Sequence, residues 1–331
     1  MKLSKKVCFR LKNVLSKYCL MAFALLGVLN VLCYGICATD YLDNEVIITK
    51  HSDGTKTTTT VSEISKNTPP VDCSAFLPSS ISSESASLRS ITDLDGRTLI
   101  SPPDSRIGVL ECGFDSNPSS PGIDVYIYSS ASLQCYDIII SCAHGLWIPE
   151  YNSLPCDGWA SEITFYAGES APNVYIASAS YSSASISMNF VNNSYYDDSD
   201  SSNYFAFDWD WSIIQLSTDI GSTCGWFGIH SCGNSELGLN IDLLGYPGDK
   251  TPGSPWRAAG EITAMTQINM FDTSAFIYSG ASGGPIVYSN NVYGIATVKT
   301  NYGSGGTRMY SGLISLITTA KAESAERWEE E

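Results

Sequence analysis

Residues 280–285 read GASGGP, and residues 141–144, far upstream, read SCAH. A serine between glycines is common, but here a histidine that follows two small residues accompanies it. A serine hydroxyl is a weak nucleophile until a neighbouring base, most often histidine, takes its proton. The two stretches together predict nucleophilic catalysis by Ser282, with His144 as the base.

The chain contains only three histidines. His51 lies in a polar N-terminal segment and His230 lies between two cysteines, so we expect surface or structural roles for both. His144 follows the apolar run 138–140 and the small pair 142–143, which places it at the end of a buried strand. A structural histidine is the alternative, but the downstream serine motif favours catalysis.

A third group must hold the histidine tautomer and stabilise the imidazolium. Residues 206–216 read AFDWDWSIIQL, which offers Asp208 and Asp210. Strand alternation would put both on one face. Asp210 directly precedes the apolar run, where burial would strengthen a charged hydrogen bond to the imidazole. We therefore favour Asp210, with Asp208 as a strand-edge carboxylate.

Glycine at 280, 283 and 284 permits a tight turn around Ser282. Such a turn would aim the amides of Gly280 and Ser282 at one point, where the oxyanion of a tetrahedral intermediate would lie. The alternative is a glycine-rich turn without a catalytic role, which is how we interpret residues 303–306.

The order His144, Asp210, Ser282 along the chain is that of chymotrypsin, and differs from the orders in subtilisins and α/β-hydrolases. Short strand-like runs, among them residues 275–278, recur between turn signals from about residue 91, and one helix is predicted at about 315–328. We predict an all-β fold of two antiparallel six-stranded β-barrels, at about 106–217 and 222–312, with a C-terminal α-helix.

The N-terminal third has a different character. Residues 1–38 combine a basic start with an apolar run, as in a secretory signal peptide, and would contact a membrane only if left uncleaved. Residues 39–90 are polar and too poor in apolar surface to fold independently, so we predict a disordered propeptide or linker. Residues 91–331 would form the peptidase domain.

Charge and cysteines narrow the function further. The net charge is −16, and becomes −22 without the six basic residues of the signal segment, which opposes binding to nucleic acid or anionic lipid.

In an exported chain we expect disulfides, with Cys224–Cys232 as the best-defined pair. No zinc-type cysteine or histidine spacing is present, and the chemistry needs neither a metal nor an organic cofactor. A stabilising calcium would leave no distinctive spacing and stays open.

Several motifs resemble those of trypsin-like secreted endopeptidases, and in particular the bacterial glutamyl endopeptidase family. They are SCAH at 141–144, DWSIIQL at 210–216, GWFG at 225–228 and GYPGDK at 245–250. The resemblance covers about residues 91–315. It implies a secreted serine endopeptidase that acts on protein or peptide substrates, is made as a proenzyme, and has a mature chain starting near Ile91. We expect a monomer.

The sequence departs from this family where the substrate would bind. The family's G-I-H strand, whose histidine helps to bind a substrate glutamate, reads GIAT at 294–297, and Ile277 stands where a hydroxyl residue is usual. An anion would be desolvated there without a partner, so glutamate preference is not expected. We predict an apolar pocket with Lys299 as a charge at its rim. The predicted pocket residues are Phe276, Ile277, Ala296 and Thr297.

Two other classes of function are kept as alternatives. One is a catalytically silent, protease-like protein that holds a peptide or a surface partner in its cleft, although such a relative usually loses a member of the triad. The other is an esterase on a different scaffold, which the chain order disfavours.

Overall fold

A computed structural model of the chain describes residues 45–65, 73–78, 95–115, 122–123, 125–149, 158–193, 204–300 and 303–329. The predicted signal peptide, and the predicted start of the mature chain near Ile91, lie outside the described residues. No helix in these ranges is long and apolar enough to cross a membrane.

The strands of the described ranges are, in chain order, β1 (Val46–His51), β2 (Lys56–Thr60), β3 (Thr98–Leu99), β4 (Ile107–Phe114), β5 (Val125–Leu133), β6 (Ile138–Ser141), β7 (Glu162–Ala167), β8 (Ala177–Ser187), β9 (Ser212–Leu216), β10 (Gly228–Ile229), β11 (Asn240–Gly245), β12 (Trp256–Thr266), β13 (Met270–Thr273), β14 (Pro285–Tyr288), β15 (Asn291–Thr300) and β16 (Gly303–Arg308). The α-helices are α1 (Val61–Ser65), α2 (Met188–Asn193), α3 (Gly221–Cys224) and α4 (Ser311–Trp328), and short 3-10 helices span Tyr204–Trp209 and Asn234–Glu236.

The first barrel is closed by six antiparallel strands in the order β4-β5-β6-β9-β8-β7, with β7 returning to β4. Its interior is filled by large apolar side chains with no exposed surface, among them Leu110, Leu133, Ile139 and Phe165. β6 is buried along its whole length, as expected for the continuous apolar run that encodes it.

The second barrel is closed in the order β15-β14-β11-β12-β13-β16, with β16 pairing back to β15. Its core contains Leu243, Ile262, Phe271 and Ile286. The prediction of two six-stranded antiparallel barrels with a C-terminal helix is confirmed. Outside the closed ring, β10 lies parallel to β15 and β3 pairs with β12.

Two predictions about local structure in the second barrel are wrong. Residues 303–306, interpreted as a glycine-rich turn, begin β16. The glycines are needed because neighbours approach closely: a Cβ on Gly306 would lie 2.7 Å from the carbonyl oxygen of Ile295. Residues 275–278, interpreted as a strand, form a loop after β13. This loop leads directly into the serine motif.

α4 begins four residues before its predicted start, at Ser311. Leu313, Leu316 and Ile317 are its buried apolar residues. Near its end, Arg327 forms an ion pair of 2.8 Å with the buried Asp137 of the first barrel.

The prediction that residues 39–90 are disordered is wrong for two described segments. β1 and β2 form a hairpin that adds to the first barrel through β8, and α1 contacts α4. Residues 73–78 contact Trp226, just after α3, through Phe76. The two backbones pair, and the two ring centroids lie 4.5 Å apart. The residues are too polar to build a core, but they complete hydrogen bonds and apolar surfaces that the barrels supply.

The predicted Cys224–Cys232 disulfide is also wrong, because all six cysteines of the described residues are free thiols. Cys224 ends α3, and the chain then runs through β10 before it reaches Cys232. The carbonyl of Cys224 accepts a hydrogen bond from Ser105, whereas the amide of Cys232 donates to Met309. The extended path separates the two sulfurs, since a strand advances roughly 3.3 Å per residue.

Candidate active site

His144 and Asp210 meet at one edge of the first barrel. β6 pairs with β9 so that Ser141 lies opposite Ser212, and both side chains of interest lie just beyond this pair. The His144 amide donates to Asp210 Oδ1 at 2.9 Å, and Nδ1 of the ring lies 2.6 Å from Oδ2. The carboxylate therefore holds both the backbone and the ring of His144.

The two partners differ sharply in burial. Asp210 is fully buried, whereas 36% of the His144 side chain is exposed. Burial alone would lower the pKa of His144, but the charge of Asp210 and the Cys142 sulfur raise it well above its ordinary value. An Asp-oriented imidazole with one face toward solvent is the arrangement expected of a general base.

The other ring nitrogen of His144 lies beside a thiol. Nε2 is 3.6 Å from Cys142 Sγ, and Cys142 is fully buried. Among the hydrogen bonds of the described residues, none joins Ser282 Oγ to this ring. Catalytic hydrogen bonds are often long in an unliganded site and tighten with substrate. Sequence reasoning considered Cys142 only as a small residue and a cysteine, and gave no sign of this contact.

Asp208 lies elsewhere. It belongs to the 3-10 helix Tyr204–Trp209 and not to a strand, so the alternation that placed it beside Asp210 does not apply. Its Oδ1 accepts a 2.7 Å hydrogen bond from the Asn269 amide in the β12–β13 connection. Burial raises the pKa of Asp208 to about 6, against the lowering effect of these backbone hydrogen bonds. The structure brings Asp210, and not Asp208, to His144.

The serine motif forms a turn against the first barrel. Gly280 and Gly283 have φ of 91° and 83°, a region that favours glycine. A Cβ on Gly283 would lie 2.2 Å from both the carbonyl oxygen of Ser130 and Oγ of Ser141. The carbonyl of Ser282 accepts a 2.7 Å hydrogen bond from the Ser130 amide. Half-buried Ser282 thus lies against β5, and Gly283 lies against the end of β6, which leads into His144.

Two amides of this turn are free to bind an anion. Among the described residues, neither the Gly280 nor the Ser282 amide donates to a protein acceptor. The peptide bond that follows the Gly280 amide is held in place. Ser130 Oγ donates to the Gly280 carbonyl at 2.8 Å and accepts from the Tyr246 amide at 2.9 Å. Ser130 lies within a serine-rich strand, and its role had no sequence signal.

A cavity of about 400 Å³ opens beside Ser282. It is lined by Ile277, Tyr278, Ser279, Ser282 and Lys299. Of the four predicted pocket residues only Ile277 is part of this lining. Lys299, predicted as a charge at the pocket rim, lines the cavity as an exposed cation 5.2 Å from the Phe276 ring. It gives an anionic side chain a partner that the argument against glutamate had not taken into account.

The other predicted pocket residues lie behind the cavity wall. Ala296 is fully buried, and its backbone exchanges hydrogen bonds with Gly283 and Gly284. Thr297 is buried too. Phe276 is half-buried and lies between the cations of Lys299 and Arg97, whose guanidinium is 5.0 Å from the ring.

The GYPGDK motif at 245–250 anchors the segment where the resemblance placed the start of the mature chain. Arg97, which is 3% exposed, forms ion pairs with Asp95 and Asp249, and Lys250 bonds Asp95 at 3.1 Å. The two aspartates share one guanidinium, and hydrogen bonds from Arg97 hold the pKa of Asp249 below its usual value.

One group in the described residues has metal-ligand chemistry: Cys142, His144 and Asp210, whose donor atoms lie within 4.8 Å of one another. Zinc accepts all three types of ligand. The carboxylate lies on the Nδ1 side of the ring, and the sulfur lies near Nε2. One ion therefore cannot use the carboxylate and the sulfur together with a single ring nitrogen, and the group has the geometry of an Asp–His pair beside a thiol.

No family model matches the chain. A glutamyl endopeptidase of Bacillus licheniformis is 30% identical over 130 residues, which cover 34% of this chain and 39% of that protein. An extracellular metalloprotease of Bacillus subtilis is 30% identical over 166 residues, which cover 48% of this chain and 49% of that protein. The chain thus matches less than half the length of these curated relatives.

Two solved structures share the architecture. A Glu endopeptidase in complex with MPD matches with a TM-score of 0.50 at 22% identity, over 69% of this chain and 97% of that one. The protease Anisep from Arthrobacter nicotinovorans matches with a TM-score of 0.50 at 14% identity, over 68% of this chain and 99% of that one. The fold is therefore chymotrypsin-like, and the resemblance to the glutamyl endopeptidase type is confirmed.

Proposed function

We propose that this chain, with its chymotrypsin-like fold and its sequence relation to a glutamyl endopeptidase, is a serine endopeptidase that cleaves protein or peptide substrates. One observation carries the proposal: a buried carboxylate orients His144 at the edge of the first barrel, next to a serine turn with two free amides. A core histidine pair would not need such a turn beside it.

In the proposed mechanism Ser282 Oγ attacks the scissile carbonyl while His144 Nε2 accepts the hydroxyl proton. The tetrahedral oxyanion is bound by the Gly280 and Ser282 amides, and collapse expels the amine, which takes the proton back from His144. Water then attacks the acyl-enzyme and gives its proton to His144. His144 returns this proton to Ser282 Oγ as the acid product leaves. Asp210 keeps Nδ1 protonated and stabilises the imidazolium throughout.

The cavity beside Ser282 sets the expected preference for the residue before the cut. Ile277 and Tyr278 give it apolar walls, and Lys299 gives it a cation at one end. A basic side chain would meet this cation without compensation. We therefore expect medium-sized apolar or acidic side chains to be accepted, and lysine and arginine to be rejected. Profiling of a mixed peptide library tests this, and cleavage after arginine would contradict it.

The main experiment compares the chain with a Ser282→Ala variant on casein and on a simple ester. Loss of casein cleavage in the variant, with unchanged thermal unfolding, is the expected result. Ester turnover without casein cleavage would support the esterase instead, and no turnover of either substrate would support a binding protein. A metal chelator added to the unmodified chain gives a further arm: inhibition that zinc reverses would favour metal catalysis at the Cys142–His144–Asp210 group.

Export and processing belong to the same proposal. Residues 1–38 would direct secretion, and the mature chain would start near Ile91, upstream of the anchored Arg97. N-terminal sequencing of the exported protein tests both points. A monomer is expected, which light scattering of the Ser282→Ala variant would check without self-digestion.

A further inference from the structure

A second cavity, of about 430 Å³, borders the serine turn at Gly280. Gly280, whose amide we assign to the oxyanion site, forms one wall, and Ser129 continues it onto the first barrel. The lining also contains the carboxylates of Glu111 and Glu169 and the phenol rings of Tyr128, Tyr166 and Tyr246. This leaving-side cavity is defined by Glu111, Tyr128, Ser129, Tyr166, Glu169 and Gly280.

The position of the leaving-side cavity decides which part of a substrate can reach it. The smaller cavity with Ile277 and Lys299 also contains Ser282, whereas the leaving-side cavity shares only Gly280 with the catalytic turn. A peptide whose acyl side chain fills the first cavity therefore runs past Gly280 with the residues that follow the scissile bond. These residues are the ones that meet the glutamates.

The carboxylates of this cavity have no cation as partner. Glu111 accepts a hydrogen bond from Tyr166 at 3.4 Å, and Glu169 accepts one from the Asn173 amide at 3.2 Å. Among the ion pairs of the described residues, none involves either glutamate. Lys250 also lines the cavity, but its ammonium bonds Asp95 at 3.1 Å. The two negative charges are thus uncompensated.

The remaining walls suit a cation as well. Tyr128 is 56% exposed, and Tyr166 packs its ring against Tyr175 at 5.1 Å, so aromatic faces border the carboxylates. Such faces attract lysine and arginine. Ser129 is 3% exposed, and its Oγ has no hydrogen-bond partner in the described structure. This hydroxyl lies against Gly145, since a Cβ there would be 2.9 Å from it, so Ser129 contributes to the cavity wall and does not bond the ligand.

The charge state of the site agrees with this geometry. Burial and the charge of Glu111 raise the pKa of Glu169, against the lowering effect of the Asn173 amide. A second negative charge is therefore unfavourable in the empty cavity, and a bound ammonium or guanidinium would relieve the repulsion.

We propose that the leaving-side cavity binds a lysine or arginine side chain from the first three residues after the scissile bond, through Glu111 and Glu169. The inference rests on the proposed endopeptidase function. The preference described there concerns the residue before the scissile bond, whereas this one concerns the residues after it. The combination predicts cleavage before basic residues and not after them.

The test uses quenched fluorescent peptides that share one acyl side and carry lysine, glutamine or glutamate at each of the three following positions. Lysine should raise kcat/KM about tenfold over glutamine at one position. In Glu111→Gln/Glu169→Gln the lysine-to-glutamine ratio should fall to near one. Glu261→Gln/Glu323→Gln, which changes two exposed glutamates outside the cavity, is the charge-matched control and should keep the ratio. Equal rates for lysine and glutamine at all three positions would overturn the proposal.

A binding measurement separates this proposal from the catalytic one. Ser282→Ala protein is titrated with the same uncleaved peptides, followed by fluorescence anisotropy. Tighter binding of the lysine peptides, lost in the double glutamine variant, supports the cavity even if the unmodified chain cleaves nothing. Cleavage without any lysine preference would leave the endopeptidase standing and remove the cavity assignment.

Discussion

At the scale of single residues, the account depends on the environment of His144. Its position and tautomer are set by Asp210, which is fully buried and accepts two hydrogen bonds from it. Its pKa is set by the same carboxylate together with the sulfur of Cys142. Because the free imidazole must be neutral to accept a proton, activity should rise with pH through the pKa of His144.

Replacing Asp210 with Asn should lower kcat about 10⁴-fold, because an amide cannot hold Nδ1 protonated and cannot stabilise the imidazolium. The residual activity should titrate at lower pH, since the negative charge that raises the pKa of His144 is gone. A pH profile of kcat/KM measures both effects. Asp208→Asn is the control and should leave the profile in place, because Asn can still accept from Asn269. Full activity in Asp210→Asn would contradict the assignment.

Cys142→Ala should also move the acidic limb of the profile to lower pH. The reason is that the sulfur, 3.6 Å from Nε2, contributes to the raised pKa of His144. The shift should be smaller than in Asp210→Asn, because the Cys142→Ala variant keeps the negative charge of Asp210. An NMR titration of the His144 ring in Ser282→Ala protein provides a measurement free of kinetics, and an unchanged or higher pKa would argue against the contact.

At the scale of elements, the β1–β2 hairpin is the part that sequence reasoning missed most clearly. It is held by pairing with β8 and by Glu45, whose Oε2 accepts a 2.9 Å hydrogen bond from Tyr310. Tyr310 in turn accepts from the indole of Trp211, one residue after Asp210. The hairpin is therefore connected, through Tyr310 and Trp211, to the residue next to Asp210.

The hairpin should make stability depend on pH. Burial raises the pKa of Glu45 to about 7, against the lowering effect of its hydrogen bonds. Since the folded state binds this proton more tightly than the unfolded state, the free energy of unfolding should fall between about pH 4.5 and pH 7, by about 3 kcal/mol. Urea unfolding of the unprocessed Ser282→Ala precursor, which retains the hairpin, at pH 5 and pH 8 measures the fall.

In Glu45→Gln the fall should be much smaller, because no proton is exchanged at that position. Glu63→Gln, an exposed glutamate of α1, is the matched control. If Glu45→Gln keeps the full dependence on pH, other groups are responsible and the account of the hairpin is wrong.

Elements were predictable from the sequence where burial is continuous. The run 138–140 predicted β6, and the stretch near the C-terminus in which alanine, lysine, glutamate and arginine concentrate predicted most of α4. β12 was missed because exposed charged side chains, Arg257 and Glu261, interrupt its apolar signal, and β13 was missed because it is only four residues long. The hairpin was missed because its partners are more than 100 residues away in sequence.

At the scale of the whole molecule, the candidate site lies where the two barrels meet. Ser130, from the first barrel, bonds the carbonyl of Gly280 and the amide of Tyr246 in the second. Chain order predicted that the histidine and the aspartate belong to one barrel and the serine to the other. It could not predict the contacts of Ser130 or Cys142. Their partners are fixed by the folded structure, and no local sequence pattern marks a serine or a cysteine that makes such a contact.

Ser130→Ala should therefore lower kcat about tenfold while the barrels stay folded. Loss of the hydroxyl leaves the Tyr246 amide and the Gly280 carbonyl unpartnered and frees the turn that presents the oxyanion amides. Ser132→Ala is the control, since Ser132 is buried on the same strand and its Oγ bonds only Gln134 within the first barrel. Equal loss in both variants would show a general effect on the strand.

The fold should also withstand reduction. Because the six described cysteines are unpaired, dithiothreitol should leave the melting temperature of Ser282→Ala protein unchanged. A disulfide would instead contribute about 2–4 kcal/mol, and its reduction would lower the melting temperature by several degrees. Thiol titration of the unfolded protein counts the free cysteines directly.

The most direct test of the central claim is covalent labelling by a serine-reactive phosphonate, located by mass spectrometry of the digested protein. The account predicts one labelled residue, Ser282, with labelling abolished in Ser282→Ala and strongly slowed in Asp210→Asn. Absence of labelling in a folded, processed chain, or labelling at a different serine, would contradict the Ser282–His144–Asp210 assignment.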